Sequence, residues 1–259
     1  KKYQRKAERV RTTVNPEYAA TAEAVDQNIG RLQDSLAELG LDENTIVIYT
    51  SDNGGDRRNA APLNGGKGSL FEGGIRVPAA VWGSGIRKSY TSDTPFLSMD
   101  IYPTFLELAG LPSPKDHILD GQSFATLLTG GEEPERGALF WHFPSYIGNG
   151  APSSAIHKDN YKLIEYFEDQ SIALFDLDKD VGERKNIAKS KPEIASALHA
   201  ELKAWHAATG APRPTTINPA YDPSARPIRG RENRGKGGKG GKGAKPKKRA
   251  PAKKKSATA

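Results

Sequence analysis

Thr45-Ile46-Val47-Ile48-Tyr49-Thr50 runs straight into Ser51-Asp52-Asn53-Gly54-Gly55, and this junction limits the possible architecture more than any other stretch. The apolar, β-branched run has no alternation, which predicts a strand buried on both faces. The polar residues then lie beyond its carboxyl end, where open α/β sheets collect ligands. Asp52 and Asn53 supply hard oxygen donors, which suit Ca²⁺ or Mg²⁺ better than zinc or copper. Downstream, Gly65-Gly66-Lys67-Gly68 lets an anion approach the backbone and adds the mobile positive charge of Lys67. Asp, Asn and Gly are also ordinary turn formers, so local chemistry alone leaves a plain turn open.

The flanking chain reads as layered α/β structure. Residues 1 to 14 are polar and basic without a clear period, and are expected to be a connection. Asn15-Pro16-Glu17 opens a helix with a cap, a proline at the first position and an acid in the first turn. Tyr18, Ala22, Val25, Ile29, Leu32, Leu36 and Leu39 form a stripe expected to face the sheet until Gly40 ends the helix. Val77 to Trp82 predicts a second strand. Glu72 and Arg76 flank Gly73-Gly74 and are expected to pair and brace the loop. Asp100 is expected to cap a helix that runs to Ala109, and residues 123 to 128 to form a short helix.

Gly131-Glu132-Glu133-Pro134-Glu135 marks a boundary, after which the pattern turns to strands at 138–143, 155–158, 161–166 and 172–177. Asp159-Asn160 reads as a two-residue hairpin turn. Ser190-Lys191-Pro192-Glu193 has the form of a capping box, followed by Ile194, Leu198, Leu202 and Trp205 at helical spacing. Three parts are expected: 1–131, an α/β layer; 132–211, a small antiparallel sheet with one helix; and 212–259, an extended and then disordered tail. Residues 226–259 hold 14 of the 38 Lys and Arg but one acid, Glu232, a net +13, whereas the rest carries 24 basic and 30 acidic residues, a net −6. Such a tail fits contact with polyanions.

Other signals carry less. Asp176-x-Asp178-x-Asp180 lacks the glycine and final glutamate of a calcium loop, so a surface turn is expected. The five histidines show no metal spacing. His199 and His206 are expected to be solvated. His142, within Phe140-Trp141-His142-Phe143, could select substrate, although a packed aromatic strand accounts for it as well. No apolar run is long enough to cross a membrane.

Taken together, Ser51-Asp52-Asn53-Gly54, Gly66-Lys67-Gly68 and Glu72-Gly73-Gly74-Ile75-Arg76-Val77-Pro78 resemble a signature region of the type I sulfatases, of the alkaline-phosphatase-like superfamily. The resemblance continues through Asp100-Ile101-Tyr102-Pro103-Thr104, Leu119-Asp120-Gly121-Gln122-Ser123 and Leu174-Phe175-Asp176-Leu177, over residues 15 to 222. It implies the carboxyl-terminal part of a sulfatase α/β domain followed by the family's small subdomain. It also implies hydrolysis of sulfate esters, with Asp52 and Asn53 as two ligands of a divalent metal, Ca²⁺ above others, and Lys67 as the sulfate contact. The family's nucleophile is a formylglycine made within a Cys/Ser-x-Pro/Ala-x-Arg motif. The chain has no cysteine and no serine in that context, so the formylglycine is expected in an upstream segment and these residues alone are expected to be inactive. A sulfated small molecule or polysaccharide is the implied substrate, and the periplasm or the exterior the implied location. Two alternatives stay open: a phosphatase or phosphodiesterase of the same superfamily, and a polyanion-binding protein acting through its tail.

Overall fold

The computed structural model describes residues 2–10, 15–57, 59–147, 150–216 and 218–221. The expected disordered basic tail, residues 226–259, lies outside them. The first helix is α1, Lys2–Val10, where a connection was expected. Its residues include strong helix formers and neither Gly nor Pro, and it docks on α2, Pro16–Glu38, with Lys2 paired to Glu23. The α2 cap is as expected: the Asn15 side chain accepts the Glu17 N–H at 2.8 Å. The apolar stripe, however, is not covered. No residue of α2 is buried, and Tyr18 and Leu32 are each about half exposed. Periodicity decides which side chains share a face, but burial needs a partner. Among the described residues α2 meets chiefly α1 and a 3₁₀ turn at Asp42–Asn44.

The junction strand is β1, Ile46–Thr50. It pairs antiparallel with β2, Ala79–Gly83, from Ile46↔Gly83 to Thr50↔Ala79. The double burial expected for β1 is absent: its residues are half-buried and Tyr49 is exposed. A two-stranded ribbon cannot cover both of its own faces. Between these strands lies the glycine-rich loop and a single helical turn, α3, Glu72–Ile75.

Two short helices follow, α4 at Ile101–Leu108 and α5 at Ala125–Leu128. Asp100 stands at the cap position of α4 but gives that helix no side-chain cap bond, because its carboxylate is used elsewhere. Fully buried, its carboxylate accepts the N–H groups of Leu97 at 2.6 Å and Gln122 at 2.8 Å and pairs with Arg136 at 3.0 Å. That one side chain ties the start of α4 to both later segments.

The second sheet is a four-stranded meander: β3 Leu139–Phe143, β4 Ser153–Lys158, β5 Tyr161–Tyr166 and β6 Ile172–Asp176, in that order. Lys158 pairs with Tyr161 across the expected Asp159-Asn160 turn, with Asp159 at φ +51°. Alternation splits the sheet into two apolar faces. Ile156, Leu163 and Leu174 pack under α6, Pro192–Thr209, against Ala195, Leu198 and Leu202. Ala155, Ile164, Tyr166 and Phe175 instead pack against Phe71 from the glycine-rich loop. Side chains from both sides of residue 131 therefore share one core.

Three expectations about α6 fail, the first being a solvated His199, which is half-buried with its Nε2 3.3 Å from Glu165. Ser190 donates to the Ile187 carbonyl rather than forming a capping box, since Lys191 occupies the cap with no side-chain bond. His206 is buried, because its position on α6 turns it toward Ser154 rather than toward water.

Candidate functional site

At the end of β1 the chain turns through Ser51, whose hydroxyl donates to the Asn53 carbonyl at 3.0 Å. Asp52 is exposed and Asn53 half-buried. The next residues are stitched to the glycine-rich loop. Gly54 N–H donates to the Gly74 carbonyl at 2.9 Å and Lys67 N–H to the Gly55 carbonyl at 2.9 Å. A Cβ on Gly54 would stand 1.9 Å from the Gly73 carbonyl oxygen, so only glycine allows this approach. These contacts bring the Lys67 backbone against the residues just after Asn53. The Asp52 carboxylate, the Asn53 carboxamide and the Lys67 ammonium make no hydrogen bond or ion pair among the described residues. Lys67 is exposed.

The oxygen donors of Asp52 and Asn53 suit a hard cation, but they are only part of a coordination shell. Among the described residues, no three His, Asp or Glu gather in a way that could complete one. The Cys/Ser-x-Pro/Ala-x-Arg motif has no match here, as the chain lacks cysteine and no serine stands in that context.

His142 does not join this loop. It lies on the α6 face of the meander, while the loop packs on the other face. Its Nδ1 lies 2.6 Å from the Ser154 hydroxyl and its Nε2 2.8 Å from the Pro212 carbonyl, with Phe167, Trp205 and His206 around the ring. One ring nitrogen thus serves packing on β4 and the other ties down the segment that follows α6. Alternation along β3 sends His142 to the helix side.

The expected Glu72–Arg76 brace exists at 3.4 Å, yet it is the lesser contact. Lys162, the second residue of β5 and fully buried, reaches Glu72 at 2.8 Å and Glu183 at 2.6 Å. Glu183 in turn accepts the Glu72 N–H at 2.6 Å. The approach of Lys162 to Glu183 Oε1 lacks hydrogen-bond alignment, and that oxygen has no other hydrogen bond. Two carboxylates and one ammonium are buried together, and their environments differ. Burial raises the Glu72 carboxyl, but the charge and hydrogen bond of Lys162 outweigh it and hold the group below its ordinary value. Burial pushes Glu183 up to about 7 against the pull of Lys162.

Nothing in local sequence marks this triad, because a lysine in an alternating strand normally points to water. In the folded sheet Lys162 shares its strand face with Ile164 and Tyr166, both apolar and buried, which is what takes it out of water.

Glu183 has a measurable consequence. Its raised value means the folded state holds the proton more tightly, so its stabilising contribution is complete below its ordinary value of 4.5 and is lost as pH rises through about 7. Glu183→Gln cannot ionise. Urea unfolding from pH 5 to 8 should show the variant gaining on the parent as pH rises, by up to about 3 kcal/mol. A constant difference across that range would rule out ionisation of Glu183.

A family model described as sulfatase matches residues 1–111, and one described as N-sulphoglucosamine sulphohydrolase, C-terminal, matches residues 66–208. A sulfatase of Formosa agariphila is 37% identical over 223 residues, covering 76% of this chain and 40% of that protein. Arylsulfatase K of Mus musculus is 34% identical over 194 residues, covering 72% and 34%. A protein solved in complex with its substrate D-glucosamine-2-N,6-O-disulfate superposes with a TM-score of 0.62 at 28% identity, over 74% of this chain and 40% of that one. The chain therefore spans about 40% or less of the length of these curated relatives.

Proposed function

The chain belongs to the sulfatase family, and from that premise we propose that it forms the carboxyl-terminal portion of an enzyme that hydrolyses sulfate esters. The observation that carries the proposal is the stitched loop, which sets the Lys67 backbone against the residues that follow Asp52 and Asn53. In this reading Asp52 and Asn53 contribute two oxygens to a divalent metal, Ca²⁺ above others. When bound, that metal would supply electrostatic stabilisation of sulfuryl oxygens. Lys67 holds the sulfate group through its ammonium, and the Gly54–Gly74 and Gly55–Lys67 backbone bonds keep the two segments that carry these donors adjacent. The nucleophile comes from residues outside this chain. A sulfated carbohydrate fits the named substrate of one structural relative, and export to the periplasm or exterior goes with this reading.

Sulfate release from a chromogenic aryl sulfate and from a sulfated glucosamine tests the reading directly. A protein that joins this chain to an upstream sulfatase segment should hydrolyse at least one of them. Chelation should abolish turnover and Ca²⁺ should restore it, whereas the 259 residues alone should release no sulfate. Turnover that survives exhaustive chelation would remove the metal role of Asp52 and Asn53. Turnover by the 259 residues alone would show that the nucleophile is already within them.

A further inference from the structure

The loop that carries Lys67 is held in large part by the meander, not by its own two-stranded sheet. The Phe71 ring packs against Phe175 of β6, with ring centroids 5.9 Å apart. The backbone carbonyl of Glu183 accepts Asn64 Nδ2–H at 3.3 Å, and its carboxylate accepts the Glu72 N–H at 2.6 Å. Asn64 passes the restraint on: its carbonyl accepts the Gly73 N–H at 2.7 Å and its Oδ1 accepts the Gly65 N–H at 2.9 Å. Lys162 closes the set from β5 by bridging Glu72 and Glu183. Both flanks of Lys67, at residues 64–65 and 72–73, are thereby fastened to one turn and one strand of the second sheet.

We propose that Lys162 and Glu183 are positioning residues for Lys67, setting the loop, and through it the ammonium, at the height needed to meet a sulfuryl oxygen. The proposal rests on the sulfatase reading of Lys67. An apolar contact such as Phe71 on Phe175 tolerates sliding, because dispersion and burial are nondirectional. A buried ammonium shared between two carboxylates, one of which also accepts a backbone N–H, has few acceptable geometries. Replacing such a group by apolar side chains often costs little stability, so its directional content, rather than its stability, is the reason to connect it with function.

The test is a double-mutant cycle in the active, full-length enzyme. Glu72→Gln/Lys162→Met/Glu183→Gln removes the charges together, so that none is left buried alone. Glu183→Asp is run beside it as a milder change that keeps the charge but shortens its reach. Each should lower kcat/KM, the triple variant by roughly tenfold to a hundredfold, the cost of small misplacement at a reacting centre. Neither should lower it further once Lys67→Ala is present, because the effect runs through Lys67. Amides of residues 64–74 should exchange about tenfold faster in the triple variant, with the β5–β6 ladder unchanged.

Equal losses in the presence and absence of Lys67, or unchanged exchange at residues 64–74, would overturn the proposal. An inactive parent enzyme would instead remove the sulfatase reading on which the proposal stands.

Discussion

Lys67→Ala, made in an enzyme that includes this chain, should cut kcat/KM by roughly two to three powers of ten while leaving urea unfolding within about 0.5 kcal/mol of the parent. The two halves of the expectation come from different observations. Stability is spared because the Lys67 side chain is exposed and makes no ion pair or hydrogen bond among the described residues, so the fold gains nothing from its ammonium. Its backbone N–H, which does hold the loop to Gly55, is kept by alanine. On the proposed reading activity suffers because Lys67 is the sulfate contact, and alanine leaves the developing oxyanion without that positive charge. A kcat/KM near that of the parent would refute the assignment. A large stability loss would show that Lys67 is a structural residue after all.

Sequence periodicity went furthest where a segment finds its partner close by in the chain. The meander illustrates this: β3 to β6 follow one another, each hairpin pairs neighbours, and the Asp159-Asn160 turn sets the β4–β5 register. Periodicity was less informative about β1 and α2. Their apolar patterns are real, but a pattern specifies a face and says nothing about whether the described residues supply a cover for it.

The candidate site divides the same way. Asp52, Asn53 and Lys67 could be picked out because glycines and polar donors are concentrated after one apolar run. Lys162 and Glu183 could not. Glu183 lies 111 residues from Glu72, whose N–H it accepts, and 21 residues from Lys162, and such pairing depends on how two sheets dock. His206 shows the converse error, since helical position alone does not say which side chains a serine on the adjacent strand will gather.

Lys162→Met should be the most damaging single change to stability, at roughly 3–5 kcal/mol near neutral pH. Methionine fills much of the volume, so the cost is not chiefly a cavity. It arises because Glu72 and Glu183, both buried, lose the cation that lies 2.8 and 2.6 Å away. The pH dependence separates this cause from simple misfit. In the parent, Glu72 is held below its ordinary value, so its stabilising contribution is present above 4.5 and is lost as pH falls through the depressed value. Without Lys162, Glu72 keeps chiefly the half-exposed Arg76 at 3.4 Å and Glu183 only the Glu72 N–H, so burial and mutual repulsion dominate and raise both carboxyls. Both groups should then take up protons on folding, and the variant's deficit should shrink as pH falls from 8 toward 4.5. Urea unfolding of the two proteins across that range decides the matter: a packing defect would leave the difference constant, while a deficit that closes in acid identifies two carboxylates stranded without their counter-ion.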